Sequence, residues 1–410
     1  MSYHLVVIGY VWPEPNSSAA GENMMGLLEA FLKQGWRVTF LSAAADSAHM
    51  IDLPALGIQV KRIRVNCSEF DTLISDLAPD AVVFDRFMIE EQFSWRVKKQ
   101  CPEAVRIINT EDLHSVRHVR QELAKHSDVT ETTPVPFDNE MVQREVAAIL
   151  RSDLSLLISQ PEIDLLTSRF SVNAAQLWLQ PLMIASHQSL QTQTDARSGF
   201  TFIGNFRHAP NWDALLHLKQ TLWPLIRAAI PKATLHVYGA YPGKKVTNLH
   251  NPRQGFVIEG WAPDAREALN KHKVMLAPLR FGAGVKGKLI TAMQCQLPSI
   301  TTPLGAEGIA DACDWPGAVT TSDDEFVQQS IRIYNDRESQ DEAIEKGHKV
   351  LREKFETGLH QKALTEKVQS LVSDIQTHRS TLFYQHLLWH QSLRATQYMS
   401  QWIEAKGQRD

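Results

Sequence analysis

The chain has 410 residues, enough for two domains of ordinary size. Apolar residues make up 43% and charged residues 21%, the balance of a soluble globular protein, and a net charge of −4 gives no bulk electrostatic reason to bind nucleic acid. Four scattered cysteines (Cys67, Cys101, Cys295, Cys313) suggest neither a zinc site nor a disulfide framework and suit a reducing cytoplasm. No apolar run reaches the roughly 20 residues needed to span a bilayer. The opening MSYHLVVIGYVWPEP reads as a strand and loop, without the basic flank of a signal peptide.

In the first half, residues 5–8, 37–41, 60–65, 81–84, 105–108 and 154–158 read as buried strands, with helical patterns such as 22–34 and 89–99 between them. That alternation predicts a parallel α/β domain. After the first strand comes WPEPNSSAAGENMMGLL, a Pro-bounded loop opening a helix at about Glu22. Its small residues, Ser17, Ser18, Ala19, Ala20 and Gly21, leave room for backbone amides to face a ligand, although a plain strand-to-helix connection has the same look. The spacing is not G-x-G-x-x-G, which argues against NAD. Next, NTEDLHSVRHVRQE (109–122) puts Asp112 and His114 at a strand end, with Asp112 read as an N-cap, while Arg117 and Arg120 share a helix face. The Thr/Pro-rich 127–137 reads as a mobile loop near a cleft, and the polar 185–198 as a linker closing a first domain of residues 1–184.

The alternation restarts at 200–204, 233–238, 256–259, 274–277 and 297–301. FIGNFRHAPNWDAL (202–215) brings Gly204, then Arg207, with His208 as its alternative. The most informative stretch is VMLAPLRFGAGVKGKLITAMQCQLPSITTPLGAEG (274–308). A short apolar strand ends at Pro278, and Gly282, Gly284 and Gly287 follow, interleaved with Lys286 and Lys288 before a helix. Glycines allow close backbone approach, a helix start offers unpaired N–H groups, and two lysines make a diphosphate the natural occupant. The next strand opens into a second glycine-flanked loop, 303–308, carrying Glu307. Two such loops at adjacent strand ends form the expected crevice of an open parallel sheet.

From Asp323 the chain reads as helical, with 359–375 placed to cross back onto the first domain. In the tail, Phe383, Leu387, Leu388, Tyr398, Trp402 and Ile403 make one aromatic-rich face at loosely helical spacing. The favoured reading packs it on the chain's own first domain. A dimer contact through 381–405 comes second, and docking at the inner face of a membrane third, because basic residues there are sparse.

Taken together, PLRFGAGVKGK, the helix after it, the strand start after Gln296 and the loop Gly305-Ala306-Glu307-Gly308 resemble the carboxy-terminal domain of GT-B glycosyltransferases. Among these they are most similar to the retaining enzymes of glycosyltransferase family 4, also termed glycosyl transferases group 1. FIGNFRHAPNWDAL and the D-L-H-x-x-R-x-x-R run extend the resemblance to roughly residues 3–365. It implies two Rossmann-like domains facing a cleft. Residues 1–184 would be the acceptor side, 199–358 the nucleotide-sugar side, and 359–410 a crossover helix and amphipathic tail. The implied substrate is a nucleoside-diphosphate sugar, UDP- or GDP-linked, with no tightly bound metal or cofactor. Its sugar would pass, with retention, to an unidentified acceptor: a glycan, lipid, protein or nucleoside.

By the same resemblance, Gly204, Gly282, Ala283, Gly284, Val285 and Lys286 would cradle the diphosphate, clamped by Arg207 and Lys288. Gly305, Ala306 and Glu307 would lie near the sugar, His114 would hydrogen-bond it, and the base would lie against Tyr238 to Tyr241. Ser17, Ser18, Ala19 and Gly21 would face the diphosphate or the acceptor. The family pattern often carries two glutamates where this chain has Ala283 and Thr291, the second usually holding the ribose. Threonine offers one hydroxyl where a carboxylate accepts from two. Either Glu307 or a backbone group replaces it, or donor binding is weak, or the donor differs. Two rival classes stand beside the transferase: a GT-B-like epimerase or phosphorylase, and a non-catalytic binding or scaffold subunit.

Overall fold

In the computed structural model, residues 2–126, 128–183, 196–391 and 394–407 are described. Two parallel sheets organise them. The first contains β1 (His4–Gly9), β2 (Arg37–Ser42), β3 (Gln59–Arg62), β4 (Ala81–Asp85), β5 (Val105–Glu111), β6 (Leu154–Leu157) and β7 (Leu177–Leu179), in the order β3-β2-β1-β4-β5-β6-β7. The second contains β8 (Phe200–Ile203), β9 (Leu235–Tyr238), β10 (Phe256–Gly260), β11 (Val274–Ala277), β12 (Ser299–Thr301) and β13 (Gly317–Val319), in the order β10-β9-β8-β11-β12-β13. Helices connect successive strands, so the central strands are covered on both faces, and β1, β4 and β11 are buried along their whole length. That is why the sequence shows them as unbroken apolar runs. In each sheet the strand order reverses once, between β1 and β4 and between β8 and β11. The carboxyl ends of those strands are where such sheets hold ligands.

The fold class agrees with the sequence reading, and the differences fall at sheet edges. Residues 60–65 were expected as a buried strand, but β3 is a mostly exposed edge strand at Gln59–Arg62, paired only with β2. The three-residue edge strands β7 and β13 have no clear sequence signal, because short runs carry no measurable period. The helix expected from Glu22 begins at Ala19, capped by Ser18, whose Oγ accepts from Gly21 N at 3.1 Å. Of the proposed linker, residues 184–195 lie outside the described residues.

The domains share apolar contacts beneath the cleft. Ile158 and Leu182 pack with Val285, Leu289, Ala306 and Ile309, while Ala283 packs among Phe87, Leu113 and Val116. Helix Thr357–Ser373 lies on helix Ala19–Lys33 and adds Leu364, Val368 and Leu371 to the core holding Leu27, Leu28 and Phe31. Just beyond it, Arg379 donates to both carboxylate oxygens of the fully buried Asp153, at 2.9 and 2.8 Å. Asp153 also accepts from Arg106 and, at 2.8 Å, from Gln385.

The tail corrects the favoured expectation. Its aromatic face does not pack on the first domain: Phe383 is 71% exposed and Trp402 59%, with Tyr398, Leu387 and Ile403 also exposed. Other tail residues make the contact. Trp389 Nε1 donates to Arg151 O at 2.9 Å, Arg96 donates to Ser400 Oγ at 3.3 Å, and Glu404 accepts from Ser68. Polar anchors decided the rotation of these helices, and a count of apolar positions cannot see them. Among the described residues, no helix is long and apolar enough to cross a membrane.

Candidate active site

A cavity of about 870 Å³ lies between the carboxyl edges of the two sheets, lined by both. Its second-domain wall is the segment between β11 and helix Gly287–Gln294. Ala283, Val285 and Phe281 are buried there, yet the backbone N–H groups of Gly282, Ala283, Gly284, Val285 and Lys286 donate to no acceptor among the described residues. Backbone donors that no protein group accepts are left to whatever fills the cavity they line. Lys288 follows in the first turn of the helix. Its ammonium donates to Asn211 Oδ1, sits 4.8 Å from the Phe202 ring centroid, and has no carboxylate partner among the described residues. Burial pulls its pKa down to about 7. Unpaired N–H groups and an uncompensated lysine on one wall make a site for an anion.

Arg207 lines the same cavity but is exposed, its guanidinium stacked 3.5 Å from the Tyr241 ring centroid. Gly204, Gly282, Lys286 and Thr291 also line it, as does the Ser17–Gly21 stretch across the cleft. The Thr291 hydroxyl donates to Gly287 O at 3.0 Å within its own helix.

The first-domain wall holds His114, Asp112 and Arg117, together with Asp85, Arg86 and Glu111, which the sequence reading did not single out. His114 is neutral at pH 7, because burial lowers its pKa to about 3 against the opposing pull of Asp112, 3.7 Å away. Asp112 is not the expected N-cap. It pairs with Arg117 and His114, and Leu113 holds the cap position without a capping side chain. The helix start is satisfied from a distance instead: Glu162 accepts from Leu113 N at 2.8 Å, and Glu145 accepts from His114 N and Ser115 N at 3.0 and 2.9 Å. Glu111 is buried, accepts from Asn23 and Asn109 (both 3.1 Å), and is pushed up to about 7 by burial. The run after β5 pointed to Asp112 and His114; the Asp85-Arg86 pair at the end of β4 is a similar strand-end signal that the sequence reading passed over.

Five of the residues singled out from sequence do not line the cavity. Tyr238 turns away to His272, 3.0 Å from its hydroxyl. Gly305 and Ala306 are buried in a short helix, Pro303–Ala306, where a loop was expected. Glu307 is engaged by Arg120 through two hydrogen bonds of 2.7 and 2.8 Å. Lys286, expected to help cradle the diphosphate, does line the cavity, but its ammonium lies 3.7 Å from Glu307 and donates to Gly284 O at 2.7 Å. Gly284 meets the first domain instead: a Cβ there would lie 2.7 Å from Asp112 Cβ and 3.0 Å from Ile158 Cδ1, on a backbone with φ of +61°. Gly284→Val is therefore expected to wedge the domains apart and reduce any activity of the cleft at least tenfold. A variant with wild-type activity and an unchanged small-angle scattering profile would contradict that contact.

Further ties close the mouth. Tyr241 donates to Glu14 at 2.9 Å, Trp261 Nε1 to Asn16 O at 3.0 Å, and Arg266 to Glu22 at 2.6 Å. Thr130–Thr133 and Glu131 belong to the segment expected as a mobile loop, where Glu131 O accepts from Arg120 at 3.0 Å and Val135 is buried. No group of three His, Cys, Asp or Glu side chains suited to a metal occurs among the described residues.

With this geometry in place, comparison with known proteins gives a consistent answer. Residues 197–336, about a third of the chain, match the family described as glycosyl transferases group 1. Sucrose-phosphate synthase from Thermosynechococcus elongatus superposes with a TM-score of 0.68 at 14% identity, over 90% of this chain and 99% of that one. The fold is GT-B. Anabaena HepE, solved in complex with UDP, gives 0.64 at 12% identity, over 90% of this chain and 100% of its own. TarM of S. aureus, in a complex that includes UDP, gives 0.56 at 13%; the likeness covers 73% of this chain and only 58% of TarM. No curated protein matches the sequence. In a GT-B frame, the anion wall belongs to the second domain and the His114 wall to the first.

Proposed function

We propose that the protein transfers a sugar from a nucleoside-diphosphate sugar to a hydroxyl-bearing acceptor, with retention at the anomeric carbon. The observation that carries this reading is the 282–288 loop on the cavity wall, whose unpaired N–H groups and uncompensated Lys288 call for an anion. As the glycosidic bond breaks, the departing diphosphate gains negative charge. Fixed donors and cations there stabilise the transition state more than the ground state. Arg207 at the mouth adds a second cation, and neutral His114 can hydrogen-bond a sugar hydroxyl. Retention is supported by the resemblance of the 274–308 segment to retaining enzymes, and a uridine donor by the UDP in the HepE and TarM complexes. The acceptor would enter along the first-domain wall.

A panel of UDP-, GDP-, ADP- and CMP-sugars, read by release of the nucleotide and by thermal shift, tests the reading. One donor that stabilises the protein and slowly releases its nucleotide supports it; no response to any donor rejects it. One observation favours a second reading, a homologue that binds without catalysis. Thr291 spends its hydroxyl on its own helix, so no side chain there holds the ribose. Binding of a nucleotide sugar without release, in the presence of candidate acceptors, would favour that reading.

The lowered pKa of Lys288 gives the pH dependence a sign. Below about pH 7 the side chain is charged and the affinity for UDP is at its plateau. Above it the free protein loses the charge, so affinity falls, approaching tenfold per pH unit until the complex itself titrates. Titrations between pH 7 and 9 check this, and Lys288→Arg should flatten the profile. A flat wild-type profile would remove Lys288 from the site.

A further inference from the structure

Arg120 lies on helix His114–Leu123 of the first domain, but most of its hydrogen bonds cross to the second. Nη1 donates to Gly282 O at 2.9 Å and to Glu307 Oε2 at 2.7 Å; Nη2 donates to Glu307 Oε1 at 2.8 Å and to Glu131 O at 3.0 Å. The side chain is buried, and so is the carboxylate it grips. Gly282 lies in the loop whose N–H groups are unpaired, and glycines at 282 and 284 leave its peptide planes free to adopt several orientations. In a trans peptide the C=O and the following N–H point in opposite directions. Holding Gly282 O therefore aims the Ala283 N–H away from Arg120. Lys286, donating to Gly284 O, does the same for the Val285 N–H. Ala283 and Val285 both line the cavity.

We propose that Arg120 is a positioning residue for this loop: by gripping Gly282 O and Glu307 from the opposite domain, it orients the N–H groups that receive the donor's diphosphate. This rests on the anion-site reading above and goes beyond it in one respect. The second domain alone lacks a fixed anion site, which becomes complete only when the domains meet. Specificity for a diphosphate is then tied to closure, because the residue that orders the loop belongs to the domain expected to carry the acceptor.

The test uses the full chain, with UDP and uridine as probes at a temperature where every variant is folded. Arg120→Gln should weaken UDP binding tenfold or more and leave uridine binding unchanged. Arg120→Lys keeps the charge but cannot fork between Gly282 O and Glu307, so it should also lose most of the UDP affinity. Glu307→Gln, which leaves the Gly282 contact in place, should lose less. A purely structural role predicts lowered melting temperatures with an unchanged UDP-to-uridine affinity ratio, and that result overturns the proposal. If wild type binds neither UDP nor GDP, the donor reading fails and this inference fails with it.

Discussion

Lys288→Met is expected to abolish nucleoside-diphosphate binding while making the protein more stable. The ammonium is largely screened from solvent, with a single amide oxygen as hydrogen-bond partner and no carboxylate among the described residues, so folding costs it either a desolvated charge or a proton. Methionine fills a similar volume beside Phe202 without that desolvation cost. A gain of about 1 kcal/mol in chemical denaturation is reasonable, the range typical when a residue kept for function is replaced for stability. UDP affinity should fall at least a hundredfold in the same variant. Opposite signs in the two measurements would mark Lys288 as a ligand-binding group. A destabilised variant that still binds UDP would show that the lysine serves the fold instead.

Asp153→Asn is expected to give the largest loss of stability of any single change considered. Its carboxylate is fully buried and takes hydrogen bonds from Arg106, Arg379 and Gln385, two of them on the carboxy-terminal helices. Arg106 and Arg379 hold its pKa well below the usual carboxylate range, outweighing burial. A group with a lowered folded-state pKa contributes stability above its unfolded value, lost only as pH falls through the folded value. The contribution should thus persist at pH 4 and fade only in stronger acid. Neutralising the residue leaves two buried guanidinium groups short of an anion, at a cost of roughly 3–5 kcal/mol. Urea denaturation would measure it, and limited proteolysis should show earlier cleavage after residue 356. A loss below about 1 kcal/mol would mean that the hub is not what anchors these helices.

What the sequence made legible was local. Unbroken apolar runs at the sheet centres, and the glycines and lysines of 282–288, carry their meaning within a few residues, so the parallel α/β alternation and a phosphate-binding loop could be expected. Partnerships between distant residues were not legible. Arg120 and Glu307 are 187 positions apart, and nothing in either local pattern shows that they pair. Glu145 and Glu162 cap a helix about 30 and 49 positions away, a role that Asp112 was better placed to fill on sequence grounds. The tail failed for a related reason: its rotation is set by Trp389, Ser400 and Glu404 finding polar partners, while the expectation weighed only apolar spacing.

The crossing helix has a consequence for how the chain acquires its shape. Leu364, Val368 and Leu371 belong to the core of the first domain, but the ribosome makes them only after the entire second domain. At roughly 5–20 residues per second, about 10–40 s separate the last strand of the first sheet from these residues. During that interval the strip of helix Ala19–Lys33 that the crossing helix will cover stays bare, while its other apolar residues already pack on the first sheet. The earliest domain to emerge is thus the last to be finished. Nascent chains arrested between residues 200 and 355 should engage holdase chaperones more strongly than chains arrested past 380.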